Sequence, residues 1–196
     1  AKRKAAKKYA LPCPPNSKLL KTYHSLVRNR SIAIDKNLEW LLRKRKIRSL
    51  SGVAVVSILT RPYPCGGKCL YCPAQAGVPK SYLDGEPAVM RALAHKYDPK
   101  KQIRSRIKTL EANGHPTDKI DIRIIGGTWS YNPKRYQSWF IKKCFEACNE
   151  LSGMSNIRSE ELARLQVHNE KAKYRIVGIN IETRPDCINR EEIMRL

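Results

Sequence analysis

The chain has 196 residues, of which 41% are hydrophobic, enough for one domain of ordinary size with a real core and too apolar for wholesale disorder. Its 39 Lys and Arg face 17 Asp and Glu, a net charge of +22, and residues 1–50 alone hold 15 basic against 2 acidic side chains, a net +13. No apolar run approaches the roughly 20 residues that span a bilayer, and the basic opening AKRKAAKKYALPCPP leads into no apolar signal-peptide region, so a soluble, cytoplasmic protein with no membrane partner is expected. Charge this large and this localised points to a polyanion, nucleic acid ahead of a membrane surface; the plainer alternative is a solubilising basic tail.

Leu19, Leu20, Tyr23, Leu26 and Val27 recur at helical spacing and predict a helix over 18–28 with Ser17 as its cap. A second helix is expected after Asp35, with Leu38, Leu41 and Leu42 on one face and Arg43, Lys44, Arg45 and Lys46 near its C-terminal end, where cations suit the helix dipole. After Ser51 and Gly52 the composition changes. Val53 to Leu59 is a β-branched apolar run of the kind buried on both faces of a parallel sheet, and it predicts the first strand of the main domain. Residues 60–85 then form a long Pro/Gly-rich connection, a length that is usually functional.

Helices are predicted from Pro87 and from Pro99, the latter with the stripe Ile103, Ile107 and Leu110 and a stop at Gly114. Lys119 to Ile125 alternates apolar and polar residues as a strand does and ends at Gly126 and Gly127. Pro133 opens a helix with Tyr136, Trp139, Phe140, Cys144 and Ala147 on its apolar face, and Cys144 and Cys148, one turn apart, are expected to be packing residues. A polar helix over 159–173, a strand over 176–181 and a helix start at Asn189 and Glu192 complete the pattern. The alternation is α/β, and three strand–helix units make a partial (β/α) barrel preceded by a basic helical segment. The expected organisation is a basic helical segment over 1–50 and the first half of a barrel over 51–196, the N-terminal portion of a longer protein.

Seven cysteines are an odd number, read first as metal ligands or small buried hydrophobes. Cys13, Cys144, Cys148 and Cys187 are dispersed. Cys65, Cys69 and Cys72 stand together as CGGKCLYC directly after the first strand. Three thiolates from one short loop can hold three irons of a cubic four-iron cluster and leave the fourth open for chemistry, with Gly66 and Gly67 letting the backbone fold tightly and Lys68 adding positive charge. A structural zinc site is the alternative, but no second paired CxxC or HxxxH is present; Cys13 or His24 could fold back to supply a fourth ligand.

CxxxCxxC with an aromatic at Tyr71 resembles the radical S-adenosylmethionine superfamily, and the strings GEPAVMRALAHKYDP (85–99), DKIDIRIIGGTW (118–129) and GINIETRPD (178–186) resemble the Elongator protein 3 family from about Lys18 to the last residue. The resemblance implies a barrel of the radical SAM type holding a 4Fe-4S cluster on Cys65, Cys69 and Cys72, with S-adenosyl-L-methionine bound near Tyr71, Gly126, Gly127, Thr128 and Glu182. It further implies that a 5′-deoxyadenosyl radical takes hydrogen from the methyl group of acetyl-CoA, that the product is a carboxymethyl-type group on C5 of the wobble uridine of tRNA, and that Lys119 contacts acetyl-CoA. The basic first segment is similar to the family's tRNA-binding region. The family's C-terminal acetyltransferase-like domain is absent from this sequence, so the chain alone is expected to be inactive, with that domain or other Elongator-type subunits as partners. No catalytic side chain is assigned. From chemistry alone Lys119 is a solvated lysine at a strand's start, the GGT run is a tight turn, and Glu182 and Arg184 either close a loop or meet substrate. The competing readings are an RNA-binding module with a structural metal, and a radical enzyme acting on another substrate.

Overall fold

The computed structural model describes residues 2–154 and 161–196. Eight helices and three strands run in the order α1 (Lys2–Lys8), α2 (Asn16–Arg28), α3 (Lys36–Leu42), β1 (Ala54–Leu59), α4 (Pro87–Ala94), α5 (Pro99–Ala112), β2 (Lys119–Ile125), α6 (Lys134–Leu151), α7 (Leu162–Glu170), β3 (Arg175–Ile181) and α8 (Arg190–Arg195) among the described residues. They form two compact units: residues 1–54 with 107–117, and residues 55–106 with 118–196. A division near residue 50 was expected; the first unit instead runs to Ala54 and also takes in the last part of α5 and the turn that follows it.

In the first unit, α2 and α3 are joined through Tyr23, whose hydroxyl accepts from the Asp35 N–H at 2.6 Å. Asp35 caps α3, its carboxylate accepting from the N–H groups of Asn37 and Leu38 at 2.9 and 3.0 Å. Ser17 does not cap α2, because the helix begins one residue earlier and Pro15 takes the cap position without a side-chain bond. Leu20, Tyr23, Ile107 and Leu110 are buried, and Ser49 and His115 share a buried hydrogen bond of 2.8 Å. The basic run 43–46 lies past the end of α3, with Arg45 in the left-handed region. α1, within the basic opening, was not foreseen in the sequence.

The second unit is built on a sheet of order β1-β2-β3, in which β2 and β3 run parallel with Lys119 beside Arg175 and Ile124 beside Ile181. The alternation in β2 is realised as Ile120, Ile122 and Ile124 buried on one face, with Lys119 and Arg123 exposed on the other. Phe140, Cys144, Ala147 and Cys148 of α6 are likewise buried, whereas Trp139 is 41% exposed and Tyr136 only partly covered. β3 departs from its apolar sequence: it is the last strand of the sheet and none of its residues is fully buried, Val177 being 54% exposed. α7 spans Leu162–Glu170; Ser159 and Glu160 of the predicted helix lie outside the described residues.

Gln102, wholly buried on α5, accepts from the Leu59 N–H at 2.9 Å and donates to the Leu59 carbonyl at 3.0 Å. One side-chain amide thus supplies the two hydrogen bonds that a neighbouring strand would give to the end of β1. Gln102→Leu leaves both backbone groups buried without partners and is expected to lower stability by about 2–4 kcal/mol, read from the midpoint of urea unfolding.

Candidate functional site

The C-terminal ends of the three strands meet. Thr60, one residue past β1, donates its N–H to the Ile125 carbonyl at 3.0 Å and its hydroxyl to the Gly126 carbonyl at 3.2 Å, while Glu182, one residue past β3, donates its N–H to the Ile124 carbonyl at 3.0 Å. Ligands of α/β sheets collect where strands end, because the loops there carry side chains that the strands hold in place. The cysteine loop, the glycine turn and Glu182 all leave from this junction.

The long connection 60–86 holds no helix or strand and is pinned at both ends. At its start the Arg61 N–H donates to the Tyr136 hydroxyl at 3.1 Å, and the Arg61 guanidinium lies 4.7 Å from the centre of that ring. At its far end Val78 and Pro79 are buried, Tyr97 donates to the Gly77 carbonyl at 2.6 Å, and Tyr82 donates to the two Glu182 carboxylate oxygens at 2.8 and 2.7 Å. Burial and the carboxylate together push the Tyr82 phenol well above the usual tyrosine range, so it stays a donor.

Gly126 and Gly127 both have positive φ, 130° and 88°. A Cβ at Gly126 would stand 2.4 Å from Thr60 Oγ1 and 3.5 Å from Pro79, and one at Gly127 would touch the Lys80 backbone at 3.5 Å. At Gly126 glycine is therefore required for close packing of the connection on the turn as well as for backbone conformation, whereas at Gly127, where a Cβ would make an ordinary contact, the positive φ alone calls for it. Thr128 is buried, and Trp129 donates its N–H to the Glu182 carbonyl at 2.9 Å. The Gly126 N–H donates to Glu182 Oε2 at 3.3 Å. Glu182 is thus the common partner of the turn and the connection.

Between the two pins lie the cysteines. Cys65 and Cys72 are half-buried and Cys69 is exposed, as is Tyr71, at 92%. Cys65 Sγ accepts from the Gly67 N–H at 3.4 Å, and Cys72 Sγ lies 3.5 Å from the Ser81 hydroxyl. Among the described residues no three His, Cys, Asp or Glu side chains converge so as to hold a metal ion. The fit to a thiolate-bound cluster rests on the donors: three thiols on one open loop, with a buried guanidinium nitrogen that has no oxygen acceptor, Arg184 Nη1, packed at Gly67 beside the Cys65 thiol. An unmet cationic donor suits a sulfur centre that carries negative charge.

Lys119 is not brought to this junction. It begins β2, six residues before Ile125, which places it about 20 Å away at the opposite end of the strand, on the same face as Asp121 and Arg123. Cys144 and Cys148 are buried in α6, Cys144 donating to the Phe140 carbonyl at 3.2 Å, and burial raises both thiols, Cys148 to about 12. They are packing residues. Tyr82, Thr60, Ser81, Asp186 and Cys187 join the site without having been singled out for it in the sequence. Cys187 follows Asp186 in the short turn after β3, its Sγ 3.9 Å from Asp186 Oδ1. Only Asp186 and Cys187 had a signal, their place beside Arg184 in a short turn; Thr60, Ser81 and Tyr82 depend on how the long connection leaves and returns to the sheet.

No protein-family model matches the chain. The curated tRNA uridine(34) acetyltransferase of Methanocaldococcus infernus is 43% identical over 189 residues, covering 93% of this chain and 33% of the relative. Elongator complex protein 3 of Drosophila melanogaster is 37% identical over 161 residues, covering 76% of this chain and 28% of the relative. A solved structure of the archaeal Methanocaldococcus infernus Elp3, lacking residues 1–46, matches with a TM-score of 0.54 at 38% identity, covering 74% of this chain and 26% of that one. The chain belongs to the Elongator protein 3 family. It spans about a third of the length of the curated relatives it matches.

Two substitutions test the junction in this family member. Gly126→Ala, which forces a Cβ against Thr60 in a left-handed conformation, is expected to cost about 2–4 kcal/mol in urea unfolding. Tyr82→Phe removes the donor to Glu182 and is expected to cost about 1–2 kcal/mol and to speed amide hydrogen exchange in residues 77–86 while α6 stays protected.

Proposed function

We propose that this chain is the cofactor-holding part of a tRNA-modifying enzyme of the radical S-adenosylmethionine type, acting on C5 of the wobble uridine with acetyl-CoA as carbon donor. The observation that carries the reading is the junction itself: a three-cysteine loop, a double-glycine turn and a carboxylate leaving the adjacent ends of three strands. The name of the acetyltransferase relative supplies the substrate class, tRNA uridine.

In this reading Cys65, Cys69 and Cys72 hold a four-iron cluster, which with S-adenosylmethionine supplies one-electron chemistry able to break an unactivated C–H bond. The chain's own residues bind and orient. Gly126 and Gly127 let the backbone approach a ligand closely, and Thr128 and Glu182 offer an acceptor-rich wall at the strand ends. Glu182 suits hydroxyl or amine donors, and Tyr82 holds it in place from the side. Tyr71, on the exposed stretch between Cys69 and Cys72, would offer an aromatic face to the bound ligand. Lys119, at the far end of the same sheet face, is a cation for the phosphates of acetyl-CoA.

The basic first segment serves as the tRNA-binding surface. Trp40, exposed at the end of α3, is flanked by Arg43 and Lys46 at 5.2 and 4.9 Å from its ring, so aromatic and cationic groups alternate as they do on surfaces that hold single-stranded nucleic acid. No described helix is long and apolar enough to cross a membrane.

Anaerobic reconstitution tests the assignment. The native chain should take up about four iron and four sulfide and bind S-adenosylmethionine, and the variant with Cys65→Ala, Cys69→Ala and Cys72→Ala should take up neither while keeping most of its tRNA affinity. Stoichiometric zinc in place of iron would overturn the reading in favour of an RNA-binding module with a structural metal. For the RNA surface, Lys44→Ala with Arg45→Ala should weaken tRNA binding and flatten its dependence on log salt by roughly 0.8 for each phosphate that is no longer neutralised.

A further inference from the structure

Arg184, in the turn after β3, is held by one partner and unmatched toward another. Asp186 accepts from Nε and Nη2 at 2.9 and 2.6 Å, which fixes the plane of the guanidinium. The remaining nitrogen, Nη1, is buried, finds no oxygen acceptor and lies beside the Cys65 thiol. It sits in a space that exists because residue 67 is glycine: a Cβ there would lie 1.7 Å from Nη1 and 3.4 Å from Cys65 Sγ. Gly67 has an ordinary φ, so close approach rather than backbone conformation accounts for the glycine at this position. A guanidinium nitrogen buried against a neutral thiol is a weakly matched donor, and a sulfur carrying negative charge would match it better.

We propose that Arg184 is a positioning residue for the iron–sulfur centre: Nη1 donates to the Cys65 sulfur when that sulfur is a cluster ligand, Asp186 aims it, and Gly67 admits it. The inference rests on the cluster assignment made above. Its consequence is electrostatic. Reduction adds one negative charge to the cluster, and a fixed cation and an N–H donor at a ligating sulfur stabilise the charged product more than the oxidised form, raising the potential. The family resemblance did not assign this role, and the sequence left Arg184 as either a loop closure or a substrate contact; the geometry makes it the link between the loop after β3 and the loop after β1.

The test is a dithionite titration of the reconstituted full chain, followed by electron paramagnetic resonance. Arg184→Gln is expected to make reduction about tenfold less favourable, a shift of about 59 mV to more negative potential for one electron. Gly67→Ala, which displaces the guanidinium without removing it, should shift the potential in the same direction, and Arg184→Lys, which keeps the charge, should shift it less. Loss of the cluster from Arg184→Gln at an unchanged melting temperature, with the cluster retained in Arg184→Lys, also supports the role. An unchanged potential in Arg184→Gln with the cluster intact overturns it, as does loss of cluster and melting temperature together in both Arg184 variants, which would make the arginine structural. Failure of the native chain to assemble any cluster sinks the functional reading instead, so the two are told apart.

Discussion

Thr60 ties the end of β1 to the turn after β2 through both its backbone N–H and its hydroxyl, and this short junction positions the three loops of the candidate site. It sets where the cysteine loop departs and obliges residue 126 to be glycine. It also brings the Glu182 carboxylate close enough to receive the Gly126 N–H. A sheet of three strands offers few places where three loops can be held within hydrogen-bonding distance of one another without covering them. The strand ends are one, since the strands themselves bear the mechanical load and the loops are left to chemistry.

The long connection is stable without secondary structure because its polar groups are taken up one by one. Arg61 meets Tyr136, Gly77 meets Tyr97 and Tyr82 meets Glu182, and the apolar cluster of Leu59, Val78, Val89 and Ala92 lies beneath its returning half. The cysteine segment is the stretch between these fixtures. Cys65, at its start, is close to the guanidinium of Arg184, whereas Leu70 and Tyr71 extend into solvent. Such a division, fixed ends and an open middle, lets a loop accept a bulky inorganic group without disturbing the sheet below it.

Much of this was legible in sequence because the signals were local. The period of KIDIRII located β2 to the residue, Asp35 and Asn189 capped the helices they precede, and the CGGKCLYC spacing marked the loop. Features that depend on distant partners were not legible. Tyr82 and Glu182 are 100 residues apart, and nothing near Tyr82 distinguishes it from any loop tyrosine. The Gln102 amide that finishes β1 reads in sequence as one more polar residue after Lys100 and Lys101, ahead of the apolar stripe. Ile176, Val177, Ile179 and Ile181 of β3 are apolar yet none is fully buried, and composition does not reveal how much of a strand its neighbours cover.

The two cysteines buried in α6 give the protein a built-in reporter. Their sulfurs are shielded and their thiols are held protonated far above neutrality, so a thiol-specific reagent meets only the other five of the seven while α6 is docked. Slow modification of that last pair therefore times the opening of the hydrophobic interior, independently of whatever occupies the loop at the strand ends.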